Sequence, residues 1–199
     1  NNLDKKEKKL RQELISKEKK AKDLEREIRK IIEEEIRRAK EAAKNTGTPS
    51  FNMTPEQKEL SDNFMSNKRK LPWPVERGVI TESFGRHKHP VLAGIETFSN
   101  GIKITTEKGV MARAVFEGKV SRVINIPGAG KAIILSHGDY FSVYSNLSEA
   151  FVKSGDLVKT KQEIGAVITN PSNKETITEL QIWKGNQKLD PAQWLYRAY

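Results

Sequence analysis

The stretch NGIKITTEKGVMARAVFEGKV, residues 100–120, decides the fold of this 199-residue chain. Two apolar runs, 101–105 and 110–116, flank a charged turn, and Glu117-Gly118 then turns the chain into a third run at 120–126. Runs this short, bounded by turn residues, read as strands joined by tight turns. Working outward, the same pattern recurs at 79–84, 132–135, 141–144, 163–168 and 176–183. Turns fall at Gly128-Ala129-Gly130, His137-Gly138-Asp139, Ser154-Gly155-Asp156 and Asn170-Pro171-Ser172-Asn173. Short strands at this spacing predict one mainly β domain over residues 71–199, an antiparallel sandwich or barrel-like unit. Asp190-Pro191 is expected to cap a short terminal helix through Trp194.

N-terminal to this unit the composition changes abruptly. Residues 1–44 hold 16 Lys/Arg and 11 Asp/Glu with no Gly, Pro or aromatic residue, so nothing in them breaks a helix. A heptad frame places Leu3, Leu10, Leu24 and Ile31 at one seam position and Leu14, Ala21 and Ile28 at the other. After Ile28 the spacing shifts to Ile32, Ile36, Ala39 and Ala43, a four-residue slip that locally unwinds a supercoil. The stripe is narrow and cannot bury itself. A coiled-coil arm, one continuous helix projecting from the β domain, is the expectation. The chain begins without methionine and in mid-pattern, so it is expected to be a fragment of a longer coiled coil with any export signal upstream. Residues 45–70 read as a linker with a short helix at about 54–66, started by Thr54 as N-cap, Pro55 at N1 and Gln57 completing a capping box. Leu60, Phe64 and Met65 give that helix a small apolar face. It either packs permanently on the back of the domain or acts as a switch lying in its groove.

The absence of cysteine excludes disulfides, thiolate metal sites and a cysteine nucleophile. No stretch is long and apolar enough to span a membrane. The net charge of +10 carries no Arg-rich helical face, because Glu is interleaved with Lys throughout, and this argues against nucleic acid. Of the three histidines, His87 and His89 form a weak H-x-H flanked by Arg86 and Lys88, at best an adventitious metal site. His137 sits at a hairpin turn and reads as structural. Gly128-Ala129-Gly130-Lys131 lacks the spacing of a phosphate loop.

Five segments together carry a family resemblance. Residues 100–120 resemble the H-x-G-I-D-I…G-V-x-A…G-x-V stretch of LytM-type (M23 family) peptidoglycan peptidases. HGDYFSVYSNL, residues 137–147, is similar to their H-G-x-x-x-x-Y-x-H-L hairpin. VKSGDLVKTKQEIGAV, residues 152–167, and the closing LDPAQWL also fall in register, and ELQIW, residues 179–183, lies where the family carries H-L-H-F-E. A long coiled coil ahead of such a domain resembles EnvC-type murein hydrolase activators. The resemblance implies that the family's zinc ligands fall on Ser99, Lys103 and Gln181, and its two catalytic histidines on Asn146 and Glu179. Hydroxyl and amide are poor zinc ligands, and an ammonium at Lys103 repels a cation. The expectation is therefore no cofactor, no metal and no catalysis.

What the resemblance then implies is a partner-binding groove, expected at Ser99, Lys103, Tyr144, Asn146, Glu179, Gln181 and Trp183. Lys103 is expected to contact Glu179 or Gln181 in place of a metal. The implied function is activation of a zinc-dependent N-acetylmuramoyl-L-alanine amidase in the periplasm during cell separation, by shifting the amidase towards its open state. A division-linked inner-membrane ABC transporter is implied as a partner of the coiled coil, and a restraining helix can occupy the groove until signalled. The alternative is a catalytically dead domain that binds peptidoglycan or scaffolds another envelope protein; an active endopeptidase is a distant third.

Overall fold

A computed structural model describes residues 2–45 and 53–198. The strands are β1 (Val79–Glu82), β2 (Gly85–Lys88), β3 (Glu96–Ser99), β4 (Ile102–Thr106), β5 (Met111–Arg113), β6 (Gly118–Ile126), β7 (Gly130–His137), β8 (Tyr140–Ala150), β9 (Leu157–Val158), β10 (Glu163–Val167), β11 (Thr176–Lys184) and β12 (Gln187–Leu189). The main sheet runs β1-β4-β11-β8-β7-β6-β9, with β12 beside β11 and with β10 bridging β8 and β5. Every pairing between these strands is antiparallel, and β2 and β3 form a separate hairpin. The mainly β fold expected from the turn pattern is what the chain adopts.

Strand alternation gives this sheet two buried faces. On one face Tyr140 and Tyr144 of β8, Ile133 and Leu135 of β7, and Leu180 and Ile182 of β11 enter the main core. On the other, Phe141 and Val143, Ile134, and Trp183 of the same three strands form a second, smaller cluster. A strand that is apolar on both faces needs cover on both. Two helices contribute to that cover.

Helix α2 (Pro55–Ser66) closes one end of the first face, whose remainder is covered by other strands and loops of the domain. Thr54 accepts from the Gln57 backbone N–H while the Gln57 side chain accepts from the Thr54 N–H, so the capping box expected from sequence is present. Phe64 is fully buried, stacked on His137 at 4.8 Å and Tyr140 at 5.0 Å, with Trp194 5.0 Å away. Ser61 donates to the Asp139 carboxylate. Gly138 lies flat beneath the helix, where a Cβ would run into the Gln57 carbonyl and Ser61. α2 thus packs on the back of the domain and does not lie in the groove.

Helix α1 (Asn2–Asn45) is continuous, as the missing breakers predict, but it does not project from the domain. It lies across the second face, with Ile28 and Ile32 fully buried against Ile134, Phe141, Val143 and Trp183. The expected free arm is corrected here: for residues 24–36 the partner of the stripe is the chain's own sheet. At the N-terminal end the stripe emerges, and Leu3 is 73% exposed.

Candidate functional site

The candidate site lies on the face that α1 covers, where β4, β11 and β8 run side by side. Glu179 sits opposite Lys103 on β4 and opposite Ser145 on β8. Along β11 the alternation brings Glu179, Gln181 and Trp183 to this face, and hydrogen bonds link them in a row. The Trp183 indole N–H donates to Gln181 Oε1 at 3.0 Å, and Gln181 Nε2 donates to Glu179 Oε1 at 3.0 Å. Gly101 makes the row possible, because any Cβ there would strike the Leu180 carbonyl and the Gln181 side chain. Ser99, buried at the end of β3, turns its hydroxyl inward and donates to the Gly101 carbonyl at 3.0 Å.

Lys103 finds its partner elsewhere than expected. Its ammonium donates to Glu82 Oε2 of β1 at 2.9 Å, so the contact that ties β4 is with β1 and not with Glu179 or Gln181. Glu179 feels this pair as a field. Loss of water around its carboxyl is the largest influence and pushes its pKa up. The Lys103 charge and the Gln181 hydrogen bond pull it down, and Glu82 pushes it up again. The residues present do not fit a zinc ion. Serine and glutamine are weak donors, and the Lys103 ammonium, ion-paired to Glu82, brings positive charge to this face. Among the described residues no group of three or more His, Cys, Asp or Glu is arranged to hold a metal. The two histidines of the H-x-H are spent on backbone: His87 Nε2–H donates to the Ser83 carbonyl at 2.6 Å, and His89 Nδ1 accepts from the Val91 and Leu92 N–H groups.

Two expected groove residues land differently. Tyr144 points to the opposite face, where its buried hydroxyl accepts from the Val115 N–H at 2.9 Å and lies 3.0 Å from Ser142 Oγ. Burial pushes that phenol up to about 12, so it is a core hydrogen-bonding group and not part of the groove. Asn146 has φ +64°, a left-handed conformation that Asn tolerates, and its amide donates to the Ile177 carbonyl. It borders a separate cleft with Gly128, Gly130 and Asn170.

The apolar floor of the groove is Trp183, Phe141, Val143 and Ile134, and α1 fills it. Arg29 stacks its guanidinium 5.2 Å above the Trp183 ring. Glu25 bonds Lys188 of β12 at 3.0 Å, and Glu34 reaches Arg122 of β6 at 3.3 Å, so the helix is held on both flanks. Towards its N-terminus, Leu14 and Ala21 roof a cavity of about 330 Å³ above Phe98 and Lys103. Sequence reasoning missed Glu82, Phe141, Val143, Glu25 and Lys188. The signal for the first three was strand parity; the last two carry no motif.

Comparison with known proteins agrees with this fold. Residues 97–191 match the family described as Peptidase family M23. An uncharacterized protein of Neisseria meningitidis serogroup B is 30% identical over 136 residues, 68% of this chain and 22% of that protein. The chain therefore spans about a fifth of that curated relative. A zinc-containing peptidase from Vibrio cholerae superposes with a TM-score of 0.52 at 28% identity, covering 62% of this chain and 39% of that one. A chain of the SpoIIQ–SpoIIIAH pore-forming complex gives a TM-score of 0.55 at 22% identity, covering 65% of this chain and 93% of its own, which shows shared fold alone. Residues 97–191 are thus similar to M23 (LytM-type) domains, and the structural match at 28% identity agrees with that likeness.

Proposed function

We propose, from the premise of an M23-type domain whose zinc and catalytic positions hold Ser99, Lys103, Gln181, Asn146 and Glu179, that this chain is a non-catalytic activator of a peptidoglycan amidase. The observation that carries the reading is the Lys103–Glu82 ion pair at 2.9 Å, set beside an apolar floor shaped for a helix. A site with an ammonium at its centre has exchanged metal chemistry for recognition. An amphipathic helix seated by i, i+3, i+4 anchors is a recurring mode of protein recognition. In this reading an amidase helix takes the groove, the amidase shifts towards its open form, and α1 is the resident occupant that must leave first. An α1 docked about 99% of the time would weaken such a partner about 100-fold, a restraint that a signal acting on α1 removes. The setting is the periplasm, with an inner-membrane ABC transporter as the source of that signal.

The test mixes the purified chain with a zinc-dependent amidase and purified murein. The intact chain is expected to stimulate peptide release weakly, and an I28A/I32A variant with loosened α1 strongly. No stimulation by either form overturns the activator reading. Murein binding without stimulation would instead favour a scaffolding domain, and chelator-sensitive cleavage by the chain alone would establish an enzyme.

A further inference from the structure

Glu25 is held by more than a surface ion pair. Its Oε1 accepts from Lys188 Nζ at 3.0 Å and its Oε2 from the Asn100 amide at 3.3 Å, so sheet groups grip both carboxylate oxygens. Lys188 also donates to Asn100 Oδ1 at 2.8 Å, which fixes the two receptor side chains to each other. The Lys188 side chain is only 19% exposed and its ammonium lies 5.2 Å from the Phe98 ring and 5.9 Å from the Trp183 ring. Burial pushes the Glu25 carboxyl up, but Lys188 and then Arg29 outweigh it and hold it below the ordinary range.

We propose that Lys188 and Asn100 form a carboxylate receptor that determines which helices the groove accepts. The fitting partner is an amphipathic helix carrying Glu or Asp three residues ahead of an apolar set spaced like Ile28, Ile31 and Ile32. α1 presents this pattern in cis. The inference rests on the groove reading above and adds its selectivity. The physical reason is asymmetric: a helix with the carboxylate completes the site, whereas one without it leaves an ammonium enclosed by two aromatic rings and a single amide oxygen. A basic residue at that position places two cations together and is rejected. The apolar floor accepts many helices; the receptor discriminates among them.

The experiment uses the full chain carrying E25K, which weakens the resident helix, and synthetic peptides of residues 18–43. The unaltered peptide is expected to bind at least about tenfold more tightly than its E25K counterpart. In cis, E25K and K188E should each speed hydrogen exchange in α1, and the E25K/K188E double variant should slow it again by restoring the pair in reverse. Circular dichroism checks that each variant is folded; if K188E is not, K188Q replaces it and should abolish the peptide preference. Equal affinity for the two peptides, or no recovery in the double variant, overturns the receptor. None of these readouts involves an amidase, so failure of stimulation with preserved discrimination would remove only the activator reading.

Discussion

The two helices of this chain pack on opposite faces of one sheet, α2 at one end and α1 across the other, by different means. α2 is 12 residues long, capped at its start, and pinned by one aromatic side chain that four other rings enclose. α1 is 44 residues long, fixed by a row of isoleucines on a secondary cluster and by charged contacts on both flanks. The Phe64 contacts belong to the core that holds the domain together, so α2 cannot leave without unfolding it. The α1 contacts form a cluster separate from the main core. A face covered this way can be uncovered at a local cost, and that separates a structural element from a removable one.

The contrast breaks first at Phe64. Phe64→Ala should cost about 3–5 kcal/mol of global stability, read as a lowered urea midpoint for the whole β domain. If instead only α2 loosened while the sheet stayed protected in hydrogen exchange, the two helices would be alike. Next in size, Ile28→Ala should weaken α1 docking by about 2–5 kcal/mol while the thermal midpoint of the domain hardly moves. Exchange confined to residues 24–43 is the expected signature; loss of protection in β7 and β8 as well would mean the small cluster is part of the main one.

Acid sharpens the comparison further, since only the α2 face holds a buried histidine. His137 is fully buried, bonded through Nδ1 to the Glu117 carbonyl at 2.6 Å and through Nε2 to Ser142 Oγ at 2.7 Å. Burial lowers its pKa to about 4, against the Glu117 hydrogen bond that raises it. The folded state thus binds its proton later than the unfolded chain does. The contribution of this group is fully present above about pH 6.5 and is lost as pH drops towards 4, by about 3 kcal/mol in all. Urea titrations at pH 7.5 and 5 should show the loss, and His137→Gln should flatten it. The smallest effect is at the cap: Thr54→Ala should cost about 1 kcal/mol, detectable as fraying at the start of α2 with no change in α1.

Much of this organisation was legible in the sequence. Glycine-bounded apolar runs announce the strands, and Thr54-Pro55-Glu56-Gln57 announces α2. Where α1 lies was not, because an apolar stripe on a helix looks the same whether a second helix or a sheet will cover it. One clue was present: after Ile28 the stripe widens to Ile31, Ile32 and Ile36, broader than a two-stranded seam requires. That Glu179, Gln181 and Trp183 share one face of β11 followed from parity within one strand. Tyr144 was misplaced because parity across two strands depends on register, and register is fixed by turns and bulges that sequence alone leaves open. The Glu25–Lys188 contact joins residues 163 apart and has no local signal at all.

At about 1.5 Å per residue, the 44 residues of α1 make a rod of about 66 Å, of which the exposed N-terminal end is a handle. The direction of a pull on that handle then matters more than its strength. Traction along the rod loads the isoleucine row and both flanking charge contacts in parallel, so all must yield together. A sideways lift loads them in series, turn by turn, starting where Leu14 and Ala21 roof the cavity above Lys103. The same contacts would therefore resist a tug and yield to a tilt. A fastening that unzips from one end responds to the angle at which its neighbours move.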